Sequence, residues 1–157
     1  YHARDAGIGE RPPAGWTALF PHVLKGVKGA DGQYATQWQR SGFANAYLTR
    51  MAVSMLEAYQ LGKGNTVDVL GLSLTGTDRV GHAFGPDSRE YEDVVARLDD
   101  ELGDLIAALD RTVGRSGYVL VLTADHGTTS VPQVTPGAGR VVNEEVRERI
   151  EDTLRTR

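Results

Sequence analysis

A chain of 157 residues suits one domain, and at that size folding removes roughly 68–70% of the unfolded chain's surface from water. Hydrophobic residues make up 40%, charged residues 24%, and 17 Lys+Arg against 21 Asp+Glu leave a net charge of −4; this is a globular balance, and it argues against a non-specific nucleic-acid surface. With no cysteine there is neither a disulfide framework nor a thiolate metal site, and no apolar run approaches the ~20 residues that span a bilayer.

Residues 1–42 are punctuated by Gly and Pro, as in GIGERPPAGW and FPHVLKGVKGADGQY, and no period holds across them. They read as an irregular, peripheral segment anchored by Trp16, Phe20 and Trp38. From Phe43 the composition turns to good helix formers. Tyr47, Leu48, Met51, Met55, Leu56 and Tyr59 fall on one helical stripe, and Gly62 and Gly64 end it. The run VDVLGLSL at 67–74 is nearly continuous in apolar character, which predicts a strand covered on both faces. TGTDRVGHAFG, at 75–85, reads as a loop.

Pro86, Asp87 and Glu90 then mark the start of the longest helix, expected to reach Val113. Tyr91, Val94, Val95, Leu98, Leu102, Leu105, Ile106 and Leu109 make its apolar face, and Gly114 closes it. A second buried strand is predicted over 118–124, YVLVLTA. VVNEEVRERIEDTLRTR reads as a last, mostly solvated helix. The chain opens at Tyr1 without Met, carries no secretory signal, and closes inside this helix, so both ends read as cut from a longer protein.

Strands alternating with helices of this length predict an α/β fold with a parallel sheet and right-handed crossovers. The expected division is an irregular segment, 1–42, and an α/β core segment, 43–157, that carries two Asp/His clusters. Sheets of this type bind ligands beyond the carboxyl ends of their strands, where both clusters fall. Asp78 and His82 follow the first predicted strand; Asp125 and His126 follow the second.

The spacing of Asp78 and His82 puts both on one side of a single helical turn, where a carboxylate and an imidazole suit one zinc. The plainer reading is a capping aspartate beside an unrelated loop histidine, and for this pair alone it weighs as much. Asp125 and His126 are adjacent, so they reach one metal only if the chain turns there, which Gly127 makes cheap. The plainer reading here is a strand-end cap with a half-exposed histidine. Together the clusters say more, because neighbouring strand ends lie ~4.8 Å apart and two-metal phosphoryl-transfer sites need metals ~3.5–4 Å apart.

His2 and His22 have no acidic partner at helpful spacing. Thr75, Thr77, Thr123, Thr128 and Thr129 read as ordinary loop hydroxyls. Only their charge offers Lys63 and Arg79 as phosphate contacts.

The stretch DVLGLSLTGTDRVGHAFGPDSREYEDVVARLDDELGDLIAALD followed by YVLVLTADHG closely resembles the alkaline phosphatase superfamily. The nearest branch is that of the bacterial alkaline phosphatases and the type I phosphodiesterase/nucleotide pyrophosphatases. The resemblance covers at least Phe43 to Pro132, and its T-D-x-x-G-H-x-x-G-P and A-D-H-G elements are specific in combination. It implies a portion of a parallel-sheet, alkaline-phosphatase-like sandwich with helices on both faces. It also implies two Zn2+ ions, other divalent metals being alternatives. Asp78 and His82 inherit the ligation of one zinc, which takes a further histidine from downstream. Asp125 and His126 inherit the other, which takes an upstream aspartate and binds the oxygen of a Ser or Thr nucleophile.

Two departures stand out. No zinc-binding aspartate with a nucleophile shortly beyond it precedes Asp78, and no histidine follows His126. The family pattern therefore places four of six metal ligands in this chain and the nucleophile outside it. The chain reads as an internal section of a phosphomonoesterase, inert in isolation, that acts on a small phosphate ester or nucleotide. A phosphodiesterase or nucleotide pyrophosphatase is the alternative within the superfamily, and a non-catalytic metal-binding module the alternative from another class. Family habit implies a periplasmic or secreted location.

Overall fold

A computed structural model describes residues 7–155. Five α-helices run through them in the order α1 (Gly32–Gln39), α2 (Phe43–Ala58), α3 (Gly76–Phe84), α4 (Arg89–Thr112) and α5 (Asn143–Arg155), with a 3-10 turn at Pro132–Val134. Helix α4 packs against both α2 and α3, and α1 against α2. None of the described helices is long and apolar enough to cross a membrane.

Within 1–42, the described residues before α1 form no helix or strand, and they close on α3 and α4. Trp16 donates its indole N–H to the Val23 carbonyl at 2.8 Å and stacks on His22 with ring centroids 4.3 Å apart. Buried Gln37 on α1 holds two turns of the segment at once: its amide donates to the Ala14 carbonyl and its oxygen accepts from the Lys25 N–H, each at 2.7 Å. Asp31 caps α1 by accepting from Tyr34 N–H, and it also accepts from the N–H groups of Val27 and Lys28. These backbone donors, Lys28 first, hold its carboxyl below the usual range.

Helix α2 forms where the composition places it, but its predicted stripe faces outward. Tyr47, Met51, Met55 and Tyr59 are exposed, and only Leu56 of the stripe is buried. The buried face is Ala44, Asn45, Thr49, Ala52 and Leu56, and α2 packs mainly against α4. Periodicity found the helix, but its apolar stripe and its buried face share only Leu56.

The loop expected at 75–85 is instead α3, a second correction. Its first N–H, that of Gly76, donates to Asn45 Oδ1 at 2.9 Å in a buried bond from α2. Val80, Ala83 and Phe84 then enter the core with Val94 of α4, against Trp16 and Tyr91. Gly85, at φ +86°, ends the helix in a conformation that suits glycine. Helix α4 starts later than the Pro86–Asp87 signal: Ser88 is the cap, its hydroxyl accepting from Tyr91 N–H at 3.1 Å. Val94 and Leu105 of its predicted face are buried; Val95 and Ile106 are exposed.

The two predicted strands are not strands among the described residues. Neither 67–74 nor 118–124 pairs in a ladder, and Val67, Val69, Val119, Val121 and Leu122 are 93, 90, 89, 80 and 74% exposed. A strand is defined by its neighbour's hydrogen bonds, and these runs meet no neighbouring strand. Helix α5 has no buried residue, in line with its solvated reading, and Arg147 pairs with Glu144 and Glu151 along it, each at 2.6 Å.

Candidate metal centre

Helix α3 sets the first half of the site. Asp78 lies in its first turn and His82 in its last, the ends at which a helix dipole favours an acid and an imidazolium respectively. Four residues apart, they share one face, with His82 Nε2 3.4 Å from Asp78 Oδ1. Asp78 is not the capping residue of the plainer reading: Thr75 holds the N-cap position.

The second half arrives after the apolar run 118–124. The chain bends at Asp125, whose Oδ1 accepts the His126 N–H at 3.0 Å. This bend brings both side chains round together: His126 Nε2 lies 3.7 Å from Asp125 Oδ2 and 3.6 Å from Asp78 Oδ1. The other ring nitrogen, Nδ1, lies 2.9 Å from the Gly127 carbonyl. A carbonyl only accepts, so Nδ1 carries the proton, and the neutral tautomer leaves Nε2 free to ligate. The Gly127 carbonyl, then Asp125 and Asp78, raise the His126 pKa above its ordinary value of 6.5, since each stabilises the imidazolium.

Asp78 Oδ1 thus stands between the two histidines. The four side chains are open to solvent, from 41% for Asp78 to 90% for Asp125, so the ligating atoms are accessible. Among the described residues no three of His, Asp and Glu form a group that would hold one ion. The donor set is two carboxylates and two imidazoles, which suits zinc, and each ion would need further ligands or water to reach four.

Other sequence candidates lie apart. His2 falls outside the described residues. His22 is withdrawn from metal chemistry: its side chain is 7% exposed, its Nε2 is 2.7 Å from Glu90 Oε1, and its ring stacks on Trp16 and Phe84. Sequence reading missed this pair because the partners are 68 positions apart. Thr77 and Thr123 bond to neighbouring carbonyls, and Thr128 lies 3.3 Å from the Tyr91 hydroxyl. Lys63 and Arg79 are exposed.

The family described as type I phosphodiesterase / nucleotide pyrophosphatase matches residues 10–154. The chain belongs to that family. Alkaline phosphatase PhoV of Synechococcus elongatus is 40% identical over 116 residues, 74% of this chain and 20% of the relative. Alkaline phosphatase PafA of Elizabethkingia meningoseptica is 42% identical over 113 residues, 71% of this chain and 20% of the relative. The crystal structure of wild-type PafA superimposes with a TM-score of 0.63 at 32% identity, covering 74% of this chain and 22% of that one. These likenesses put this family member in the alkaline phosphatase superfamily, with an alkaline-phosphatase-like fold. The chain spans about a fifth of the length of the curated relatives it matches.

Proposed function

We propose that this chain supplies four ligands of a two-zinc centre in a phosphoric ester hydrolase, and that the complete enzyme is a phosphomonoesterase. The observation that carries the reading is the position of Asp78 Oδ1, 3.4 Å from His82 Nε2 and 3.6 Å from His126 Nε2. Two motifs far apart in the chain converge there on complementary donors. Asp78 and His82 are assigned to one metal, and Asp125 and His126 to the other. When bound, such metals supply Lewis-acid charge at a phosphoryl oxygen and lower the pKa of an attacking hydroxyl. The chain's own part is orientation: α3 presents Asp78 and His82 on one face, and the Gly127 carbonyl turns His126 Nε2 toward them.

The Ser or Thr nucleophile is assigned to residues outside this chain, and the isolated chain is expected to be inert. The runs 67–74 and 118–124 are assigned to a parallel sheet with helices on both faces; their exposed valines and leucines support this, being apolar surface that strand pairing and flanking helices cover. Residues 1–42 are assigned as a peripheral segment and 43–157 as the core segment. The family resemblance alone supports a small phosphate ester or nucleotide as substrate and a periplasmic or secreted location.

A phosphodiesterase or nucleotide pyrophosphatase is the second reading, favoured by the description of the family that matches residues 10–154. The test compares an aryl phosphate with its methyl diester on the zinc-loaded full-length protein and on its Asp78→Ala and His126→Ala variants. A higher kcat/KM for the monoester, lost in both variants, is expected. The reverse preference selects the diesterase. Zinc retention through these residues without turnover selects a non-catalytic metal-binding module. Full activity in both variants removes the centre altogether.

A further inference from the structure

The two Asp/His pairs sit on different pieces of chain, α3 and the segment after 118–124, so something must hold those pieces in register. The contacts that do so form a short seam just behind the ligands. Gly81, the residue before His82, faces Thr128, two residues after His126. A Cβ at Gly81 would lie 3.1 Å from Thr128 Cγ2 and 3.2 Å from Tyr91 Cε2, tighter than ordinary van der Waals contact. Tyr91, on α4, places its hydroxyl 3.3 Å from Thr128 Oγ1. Further along, the Ser130 hydroxyl donates to Asp87 Oδ2 at 3.0 Å, and a Cβ at Gly85 would meet Val131 Cγ1 at 2.7 Å.

The exposed hydroxyl contacts are weak by themselves. The register comes from shape: two hollows on α3 and its end, at Gly81 and Gly85, receive Thr128 and Val131 in sequence. We infer that Gly81, Tyr91 and Thr128 are positioning residues that set the separation between the Asp78/His82 pair and the Asp125/His126 pair. The inference rests on the metal-centre reading above, and it assigns these residues no contact with substrate.

Gly81 offers a discriminating test, because it lies inside α3, where alanine is the better helix former. A purely structural role predicts that Gly81→Ala changes zinc affinity and the stability of the metal-free protein together. A positioning role predicts that they part. In the full-length protein, Gly81→Ala is expected to weaken zinc binding about tenfold by calorimetry, while the metal-free melting temperature changes little, helix propensity offsetting the tight contact. Thr128→Ser removes the Cγ2 methyl, the nearer of the two atoms that the new Cβ meets, so Gly81→Ala/Thr128→Ser is expected to regain part of the lost affinity. Zinc binding abolished by Asp78→Ala but untouched by Gly81→Ala, or a loss that Thr128→Ser does not reduce at all, would overturn the inference alone. Zinc binding indifferent to Asp78→Ala would remove the metal-centre reading and this inference with it.

Discussion

His126 shows how single contacts tune the site. The Gly127 carbonyl at 2.9 Å and the carboxylates of Asp125 and Asp78 all favour its protonated ring, so its pKa is raised in the folded protein. The protonated imidazolium therefore contributes stability that is fully present below the unfolded pKa and fades as pH rises through the raised folded value. Under the proposed assignment zinc would compete with the proton for Nε2, so its affinity is expected to rise across that same window. Asp125→Asn removes the second of the three causes. It is expected to move the His126 titration, followed by its ring-proton NMR shift, down toward 6.5 without returning it fully. A titration unchanged in Asp125→Asn would place the shift entirely on Gly127 and Asp78.

At the scale of elements, the His22–Glu90 bond joins the segment before α1 to α4, and the ring's stacking on Phe84 joins it to the end of α3. Both side chains are nearly enclosed, at 7 and 4% exposure, and Glu90 Oε2 is buried without a hydrogen-bond partner. Removing the imidazole strands the second oxygen as well and deletes a ring stacked between two aromatics. His22→Ala is therefore expected to cost about 3 kcal/mol in chemical denaturation, whereas His22→Gln, which keeps a donor, is expected to cost less. None of this was legible in the FPH tripeptide, because the bond depends on a partner 68 positions away. The existence of α2, α4 and α5 was legible, since helix formers, spacing and punctuation are local signals. Helix α3 was not: with Gly at 76, 81 and 85 it reads as a loop, and it is secured by Asn45 and by the burial of Val80 and Phe84.

For the molecule as a whole, the proposed centre lies open on the surface with its candidate donors in pairs, and Asp78 and Asp125 bring like charge to one place. A ligand that binds the native state alone stabilises it by RT ln(1 + [L]/Kd), about 2.7 kcal/mol at a hundredfold excess over Kd. Saturating zinc is accordingly expected to raise the melting temperature of the full-length protein, with the rise reduced in Asp78→Ala and His126→Ala. A melting curve indifferent to zinc would count against a metal at these positions.

By itself the sequence determined the family, the four Asp and His residues worth testing, and three of the helices, because motif spacing and helical period are written into consecutive residues. Only the tertiary structure decided which face of α2 is buried, that 75–85 winds into a helix, that His22 belongs to Glu90, and that Asp78 stands between both histidines. Those outcomes depend on partner surfaces supplied from distant parts of the chain. The exposed runs at 67–74 and 118–124 show the same rule from the other side: apolar sequence proposes a strand, but only a neighbouring strand's hydrogen bonds can make it one.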